Sequence, residues 1–229
     1  MQCGLYGKLP AKRDFIAVAT PREFLAVWEP WIQGAISAST LKLGTHWRTA
    51  FLRAPIWRFW LGAELCGHTV IGAFMPSLDG IGRYFPLTLF TTADDDDAFP
   101  PPELDPHIEW FGSVEKFLLW TLEEGVSFEA VSRMLTDLQR PADRRAPAQD
   151  QNVTVLGEGT LVANAESLSF SQAFASTRLA DHGSAYASST YWWTAGGEGF
   201  PALALAKRRM PDPNVFAGML TGDFEYVRK

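Results

Sequence analysis

The middle of the chain carries two apolar runs that are separated by a short polar segment. Residues 70–75 read VIGAFM and residues 84–90 read YFPLTLF, while Pro76, Asp79 and Gly82 lie between them. Short, continuously apolar runs are typical of strands that are buried on both faces. Proline, aspartate and glycine close together favour a tight turn. The pattern therefore predicts two strands joined by a tight loop.

Further strands are predicted on both sides of this hairpin. The aromatic-rich segment 56–61 precedes it, so residues 56–90 are predicted to form three consecutive antiparallel strands. The segments 153–156 and 160–163 flank Gly157-Glu158-Gly159 and are predicted to pair with each other. The remaining predicted strands are 2–6, 15–19, 189–194 and 203–205.

Apolar residues at helical spacing predict a long helix near the N-terminus. Thr20 is expected to cap it, with Pro21 at the first helical position and Glu23 completing a capping box. Pro30 should kink or split the helix, because proline lacks a backbone donor and clashes with the preceding turn. The residues on the predicted buried face are Phe24, Trp28, Trp31, Ile32 and Ala35.

The same spacing indicates further helical segments, and three or four helices together with six or more short strands predict the fold class. Their segments are 46–52, 105–125, 127–138, 169–182 (the weakest signal) and 212–222. The helix at 105–125 has a wide apolar stripe formed by Trp110, Phe111, Val114, Phe117, Leu118 and Leu122. Long helices with one apolar face can cover a sheet. We therefore expect a single-domain three-layer α/β/α sandwich with a mixed, largely antiparallel central sheet.

Two polar segments are predicted to be surface connections within one domain that spans residues 1–229. Residues 93–106 contain four consecutive aspartates, Asp94–Asp97, and residues 140–152 are polar with two prolines. Both are predicted to be mobile loops. The aspartate run could bind a divalent cation, but it lacks the spaced ligands and glycine of a calcium loop, so a solvated charged loop is the default interpretation.

Composition narrows the function classes. The net charge of −6 and the isoelectric point of about 5.2 argue against a nucleic-acid-binding protein, which normally carries a basic stripe. No run approaches the roughly 20 apolar residues that span a bilayer, so membrane insertion is not expected. The N-terminus lacks a secretory apolar region. The two cysteines, Cys3 and Cys66, have no metal-type spacing and fit a reducing cytoplasm.

Few residues have the spacing that chemistry requires. The four histidines form no metal-binding motif, no nucleophile elbow is present, and we expect neither a catalytic site nor a metal or cofactor. The polar residues Ser77, Asp79 and Arg83 in the tight loop are the strongest candidates. In the structural interpretation, Asp79 caps the loop, and Arg83 bonds loop carbonyls or a buried carboxylate. In the functional interpretation, a partner reads this loop.

Three motifs in order resemble one family. Residues 4–10 with Asp14-Phe15, residues 75–89 and residues 191–196 read GLYGKLP, MPSLDGIGRYFPLTL and YWWTAG. They are similar to the opening GxxGKLPxxxDF, the central PSxDxxGRYFPL and the later WWTxG of the TagF/ImpM family of bacterial type VI secretion accessory proteins. The resemblance adds Lys8, Asp14 and Trp192 to the candidate site residues.

The resemblance implies a non-enzymatic cytoplasmic regulator. Such a protein would repress type VI secretion after translation by binding a component such as the forkhead-associated scaffold protein. Two alternatives stay open. The first is a small enzyme or nucleotide-responsive switch with a polar pocket around Lys8, Asp79 and Arg83, and the second is a structural subunit of the secretion machine.

Overall fold

The computed structural model describes residues 2–94, 98–141, 153–156 and 160–225. Seven strands of this region form one sheet in the order β2-β1-β5-β4-β3-β8-β9, and β6 and β7 form a separate two-stranded sheet. Every described pair of neighbouring strands is antiparallel. The strands are β1 Gly4–Gly7, β2 Ile16–Val18, β3 Trp57–Leu61, β4 Val70–Met75, β5 Leu87–Thr92, β6 Val153–Val155, β7 Leu161–Ala163, β8 Ser189–Thr194 and β9 Leu203–Arg208.

Helices cover both faces of the large sheet. The bounds are α1 Arg22–Leu43, α2 Trp47–Arg53, α3 Ala63–Cys66, α4 Ile108–Trp120, α5 Phe128–Asp137, α6 Phe170–Ala180, α7 His182–Ala185 and α8 Val215–Thr221. Residues of α1, α2 and α8 share a core with one face of the sheet, and residues of α4 and α5 share a core with the other. The predicted three-layer α/β/α sandwich with a largely antiparallel sheet is therefore confirmed, although the expected mixture is not seen, because the described strand pairs contain no parallel one.

The alternation of side chains along each strand explains how two cores arise from one sheet. In β3, Trp57 and Phe59 belong to the core under α1, whereas Trp60 belongs to the core under α4. In β8, Trp192 lies in the core under α1, and Trp193 packs against the core under α4. The aromatic residues that stood out in the sequence mostly fill these two layers.

The order of the strands places the hairpin in the interior of the sheet. Strands β3, β4 and β5 are consecutive neighbours, as predicted for residues 56–90. All six residues of β4 and of β5 are buried, which agrees with their continuously apolar sequence. The first strand, β1, pairs with β5, so the segment after β1 approaches the loop that joins β4 to β5.

Two predictions about α1 need correction. The helix begins at Arg22 after Pro21, which has an extended conformation and takes the cap position, and no side chain caps the helix. The predicted capping box of Thr20 and Glu23 is therefore wrong. Pro30 does not split the helix, which continues to Leu43. Pro30 is exposed, while the neighbouring turns are held by the buried residues Trp28 and Trp31.

Other helix predictions hold in their main features. Ser127 caps α5 by accepting a hydrogen bond from the N–H of Ala130, and Gly222 ends α8 in a left-handed conformation. In the stripe of α4, five of the six residues are buried, but Leu122 lies beyond the end of the helix and is exposed. The weak helix signal at 169–182 corresponds to α6, which Ser169 and Gln172 start with a capping box.

Parts of the predicted loops lie outside the described residues. These parts are residues 95–97 of the aspartate run, residues 142–152 and the turn 157–159. Asp94 is described, and its carboxylate accepts a hydrogen bond of 2.7 Å from the guanidinium of Arg140. The strands on either side of the turn, β6 and β7, pair as predicted.

Candidate functional site

The loop between β4 and β5 is built around the carboxylate of Asp79, which is fully buried. Its Oδ1 accepts hydrogen bonds from the backbone N–H groups of Ile81 at 3.1 Å and Arg83 at 2.9 Å. Its Oδ2 accepts one from Nε of Arg83 at 2.6 Å and contacts Nζ of Lys8 at 3.0 Å. Two backbone donors and two cations therefore surround a single buried anion.

Backbone contacts complete the loop. The N–H of Asp79 donates to the carbonyl of Arg83 at 3.1 Å, and the N–H of Gly82 donates to the carbonyl of Asp79 at 2.9 Å. Gly82 has a φ of +85°, which glycine adopts without steric cost. The glycine and aspartate that predicted a tight turn thus have defined roles: one provides the backbone conformation, and the other satisfies the donors inside the turn.

The segment that follows β1 is tied to this loop. Ser77 donates through its hydroxyl to the carbonyl of Lys8 at 2.8 Å, and Gly80 donates its N–H to the carbonyl of Lys12 at 2.7 Å. The guanidinium of Arg83 also donates to the carbonyl of Arg13 at 2.5 Å. The structure therefore brings the candidate residues Lys8, Ser77, Asp79 and Arg83 together, although about 70 residues separate the two segments.

Electrostatics keep Asp79 ionised. Burial favours the neutral acid and on its own would raise the pKa of this carboxyl. The hydrogen bonds from the N–H of Arg83, from Lys8, from the side chain of Arg83 and from the N–H of Ile81 outweigh burial. The pKa of Asp79 consequently lies well below its usual range, and the loop carries its ion pairs at neutral pH.

The buried network supports an exposed tip. The side chain of Arg83 is 55% exposed although its Nε contacts Asp79, while Ile81 is 58% exposed and Phe15 is 50% exposed. The ring of Phe15 lies 4.7 Å from that of Phe85, centroid to centroid, and Nζ of Lys8 lies 5.1 Å from its centroid. Two apolar side chains and one cation are thus exposed on the two segments that the Asp79 network holds together. We call the surface of Phe15, Ile81 and Arg83 the loop tip.

Sequence reasoning did not select Ile81 and Phe15 as site residues. A signal for Ile81 exists, because an isoleucine between two glycines in a tight polar loop has no neighbouring strand in which to be buried. Phe15 begins the short apolar segment 15–19, and this apolar pattern predicts a buried core residue. Its exposure depends on the position of β2 at the edge of the sheet.

Asp14 and Trp192 lie outside the Asp79 network. Asp14 is exposed and precedes Phe15. Trp192 is 1% exposed, and its indole N–H donates to the hydroxyl of Thr190 at 3.1 Å. Its ring stacks near Trp28 of α1, at a centroid distance of 5.8 Å, so Trp192 contributes to the core under α1.

The chemistry available to the network is limited by its own contacts. Lys8 and Arg83 both contact the carboxylate of Asp79, so a phosphate group would have to compete with this carboxylate for them. Burial raises the pKa of the Cys3 thiol to about 11 and that of the Cys66 thiol to about 12, which keeps both protonated at neutral pH. Within the described residues, no group of three histidine, cysteine or acidic side chains is placed to hold a metal ion. The arrangement is suited to presenting a surface.

Both a family model and a solved structure show similarity to this chain. A model described as TagF N-terminal domain, type VI secretion system-associated, matches residues 4–138, which include the whole Asp79 network and the loop tip. The crystal structure of PA0076 from Pseudomonas aeruginosa PAO1, at 2.05 Å resolution, has 28% sequence identity and a TM-score of 0.75. The similarity covers 97% of this chain and 96% of that one. A search of curated proteins found no match.

In the described part of the chain, no helix combines the length and the apolar character that crossing a bilayer requires.

Proposed function

Because the chain belongs to the TagF N-terminal domain family, which is associated with the type VI secretion system, we propose that it is a cytoplasmic, non-enzymatic accessory protein of that system. It acts as a repressor by binding a secretion component, and the forkhead-associated scaffold protein is the partner we expect. The loop tip of Phe15, Ile81 and Arg83 forms the centre of the binding surface.

The braced construction of the loop tip carries this proposal. The exposed side chains of Ile81 and Phe15 give little stability to the isolated chain, whereas four contacts to Asp79 hold the loop of Ile81 in place. A surface that is already ordered loses less conformational entropy when it binds. Aromatic and arginine side chains are also the types most often found at the energetic centre of interfaces.

The internal pairing of charges favours binding over chemistry. A catalytic acid or base needs a proton that it can exchange near neutral pH. Asp79 has a depressed pKa and is closed off by Lys8, Arg83 and two backbone donors. Its contribution in this proposal is to position the loop, and the partner contacts the residues that Asp79 holds outward.

Repression follows from occupancy. A scaffold molecule that is bound to this chain is not available for assembly of the secretion apparatus. The fraction removed depends on the concentration of this chain relative to the dissociation constant of the complex. No covalent step and no energy source are needed, so relief of repression requires only loss of this chain or of its affinity.

Calorimetric titration with the forkhead-associated scaffold protein of the same secretion cluster tests the proposal. Ile81→Asp places a charge in the centre of the loop tip and should weaken binding at least about tenfold. Leu41→Asp is the matched control, because Leu41 is also exposed but lies on α1. Its affinity should equal that of the wild type. Circular dichroism of both variants establishes that they are folded.

Three results would argue against parts of the proposal. Absence of heat with the wild-type chain at high micromolar concentration removes this partner. Equal losses in Ile81→Asp and Leu41→Asp indicate a non-specific effect of added charge. Binding that neither variant changes keeps the partner but moves the interface away from the loop tip.

A further inference from the structure

The strand β9 forms one edge of the large sheet. Its six residues, Leu203–Arg208, pair with β8 along their whole length, and no other strand of the described residues pairs with its outer side. The opposite edge strand, β2, has only three residues. A six-residue edge presents unpaired backbone groups that can accept another strand.

The hydrogen bonds at the start of β8 determine which groups of β9 point outward. Ser189 accepts a bond from Gly62 at 2.9 Å on the β3 side, and Ser188 accepts one from Arg209 at 2.7 Å on the β9 side. Backbone groups alternate between the two sides along an antiparallel strand. The register pairs Thr190 with Lys207, so odd-numbered residues of β9 bond to β8. The outward N–H and C=O groups belong to Ala204, Ala206 and Arg208.

The side chains along this edge leave the backbone accessible. Leu203 and Leu205 pack partly against the core under α1, while Ala204 and Ala206 point to the other face and are exposed. Alanine is small, so a strand approaching in the plane of the sheet meets no bulky side chain at these two positions. The edge is therefore open in its first four residues.

The end of β9 is strongly basic. Lys207, Arg208 and Arg209 are consecutive in a chain whose net charge is −6. Arg208 and Arg209 line a cavity of about 360 Å³ together with Ser188 and Glu64. One carboxylate oxygen of Glu64 lies 3.6 Å from the guanidinium of Arg209, and both side chains are exposed. Glu64 is the one acidic residue that lines this cavity, and two arginines line it with Glu64, so positive charge is in excess at this end of the edge.

An unusual backbone conformation fixes this basic end. Arg209 has a φ of +62°, a region that non-glycine residues seldom occupy. Two hydrogen bonds hold it there: its N–H donates to the carbonyl of Ser188, just before β8, and its carbonyl accepts a 3.0 Å bond from the hydroxyl of Thr190, which is buried. The chain therefore turns away from the sheet directly after Arg208, and the two arginines stay beside the cavity. Residues kept in rare conformations by surrounding bonds often belong to functional surfaces.

We propose that β9 is a docking edge for an extended acidic segment of a partner protein, which adds to the sheet as an eighth strand. Its backbone bonds to Ala204, Ala206 and Arg208, and its carboxylates lie beside Lys207, Arg208 and Arg209. Strand addition of this kind takes affinity from the main chain and specificity from side chains. A second copy of this chain would offer the sequence LALAKR, which contains no carboxylate to pair with these cations. The inference is independent of the loop tip and of the scaffold protein.

Two capped heptapeptides test the docking edge on the whole chain. One alternates valine with glutamate, the other alternates valine with lysine, and both carry a fluorescent label for anisotropy measurements at low ionic strength. The glutamate peptide should bind at least about tenfold more tightly than the lysine peptide. Its carboxylates are attracted to the basic end of β9, and salt screens this attraction only weakly at low ionic strength. In NMR spectra, saturation with the glutamate peptide should slow hydrogen exchange at the amides of Ala204, Ala206 and Arg208.

Two substitutions at one position separate the backbone contact from side-chain effects. Ala206→Pro removes an outward donor without removing a bond to β8, and proline is tolerated on edge strands. It should weaken binding of the glutamate peptide about fivefold or more. Ala206→Val keeps the donor and should bind like the wild type. Arg208→Glu gives an independent test, because it changes the charge and keeps the backbone hydrogen bonds between β8 and β9. This variant should lose the preference for the glutamate peptide.

Several outcomes would overturn the proposal. They are absence of binding by the glutamate peptide, equal affinity for both peptides, and protection of amides outside β9. Equal losses in Ala206→Pro and Ala206→Val would also contradict a backbone contact. Sedimentation equilibrium tests whether a second copy of this chain occupies the edge. If the wild type is a dimer and Ala206→Pro is a monomer, the edge binds a second copy. None of these results bears on the loop tip, because the scaffold titration uses different variants.

Discussion

The loop around Asp79 and the edge strand β9 differ in what they do with their polar groups. Around Asp79, the polar groups are hydrogen-bonded to one another, whereas β9 directs N–H and C=O groups outward. The carboxylate of Asp79 is enclosed by four donors. In β9, by contrast, the alternating backbone groups of Ala204, Ala206 and Arg208 have no strand beside them in the described residues. The first region displays side chains on a braced loop, and the second displays the main chain itself.

This difference has consequences for what each region can recognise. A braced loop presents one shape, so its partner must fit Phe15, Ile81 and Arg83 as they stand. An open edge accepts many sequences because the backbone is the same in all of them, and only the adjacent charges select among them. Substitutions that disturb the buried network should therefore affect folding, while substitutions that remove an outward backbone group of the edge should affect binding.

The largest expected effect is that of Asp79→Ala. It removes the acceptor of four hydrogen bonds and leaves Lys8 buried without its counterion, so the midpoint of thermal unfolding should fall by about 10 °C. Asp14→Ala, in an exposed position of the neighbouring segment, is the control and should change the midpoint by less than about 2 °C. Differential scanning calorimetry measures both. Equal midpoints for the two variants would contradict a central role for Asp79.

A slightly smaller effect distinguishes neighbouring residues of β9. Leu205→Pro removes a donor that bonds to β8 and should lower the unfolding midpoint by about 8 °C. Ala206→Pro removes an outward donor and should lower it by about 2 °C or less. If both prolines were equally harmful, the assignment of outward groups along the edge would be incorrect.

Arg83→Ala should have an intermediate effect. The guanidinium bonds to Asp79 and to the carbonyl of Arg13, but more than half of this side chain is exposed, so water replaces part of what is lost. We expect the unfolding midpoint to fall by about 3 °C. Arg83→Lys keeps the charge without the planar donor pair and should recover only part of the difference.

The smallest expected effect appears in the pH dependence of stability. The pKa of Asp79 is depressed in the folded state, so its contribution is fully present above the unfolded pKa of about 4 and is lost as the pH falls toward the folded pKa. The difference in unfolding free energy between the wild type and Asp79→Asn should therefore be constant at neutral pH and decrease below about pH 4. Urea titrations at a series of pH values provide this curve. A difference that grows on acidification would have the wrong sign for a stabilised carboxylate.

Local sequence signals predicted most elements and the core of the candidate site. The pairing of Asp79 with Arg83 follows from a spacing of four residues within a tight loop, and the buried strands β4 and β5 follow from their apolar runs. The position of Lys8 beside Asp79 could not be derived from spacing, because it depends on the pairing of β1 with β5. Local sequence patterns predict which side chains of a strand are buried, but they do not predict which strand pairs with it.

Exposure was the property hardest to predict. Ile81 and Phe15 are apolar and still lie at the surface, because Ile81 lies at the tip of a loop and Phe15 directly precedes the edge strand β2. Trp192 stood out through its motif and is nevertheless buried against α1. The position of β9 at the edge also depends on the strand order of the whole sheet, which cannot be derived from any single segment.

The contact between α1 and β8 also gives the molecule an optical property. The indole rings of Trp28 and Trp192 are inclined by only 15° at a centroid distance of 5.8 Å, and Trp31 lies 4.7 Å from Trp192. Indoles this close and this rigid interact electronically, so we expect a strong near-ultraviolet circular dichroism band that disappears when specific packing is lost. Since more than 160 residues separate Trp28 from Trp192, this band would report, without any label, whether the first helix has closed over a late strand of the sheet.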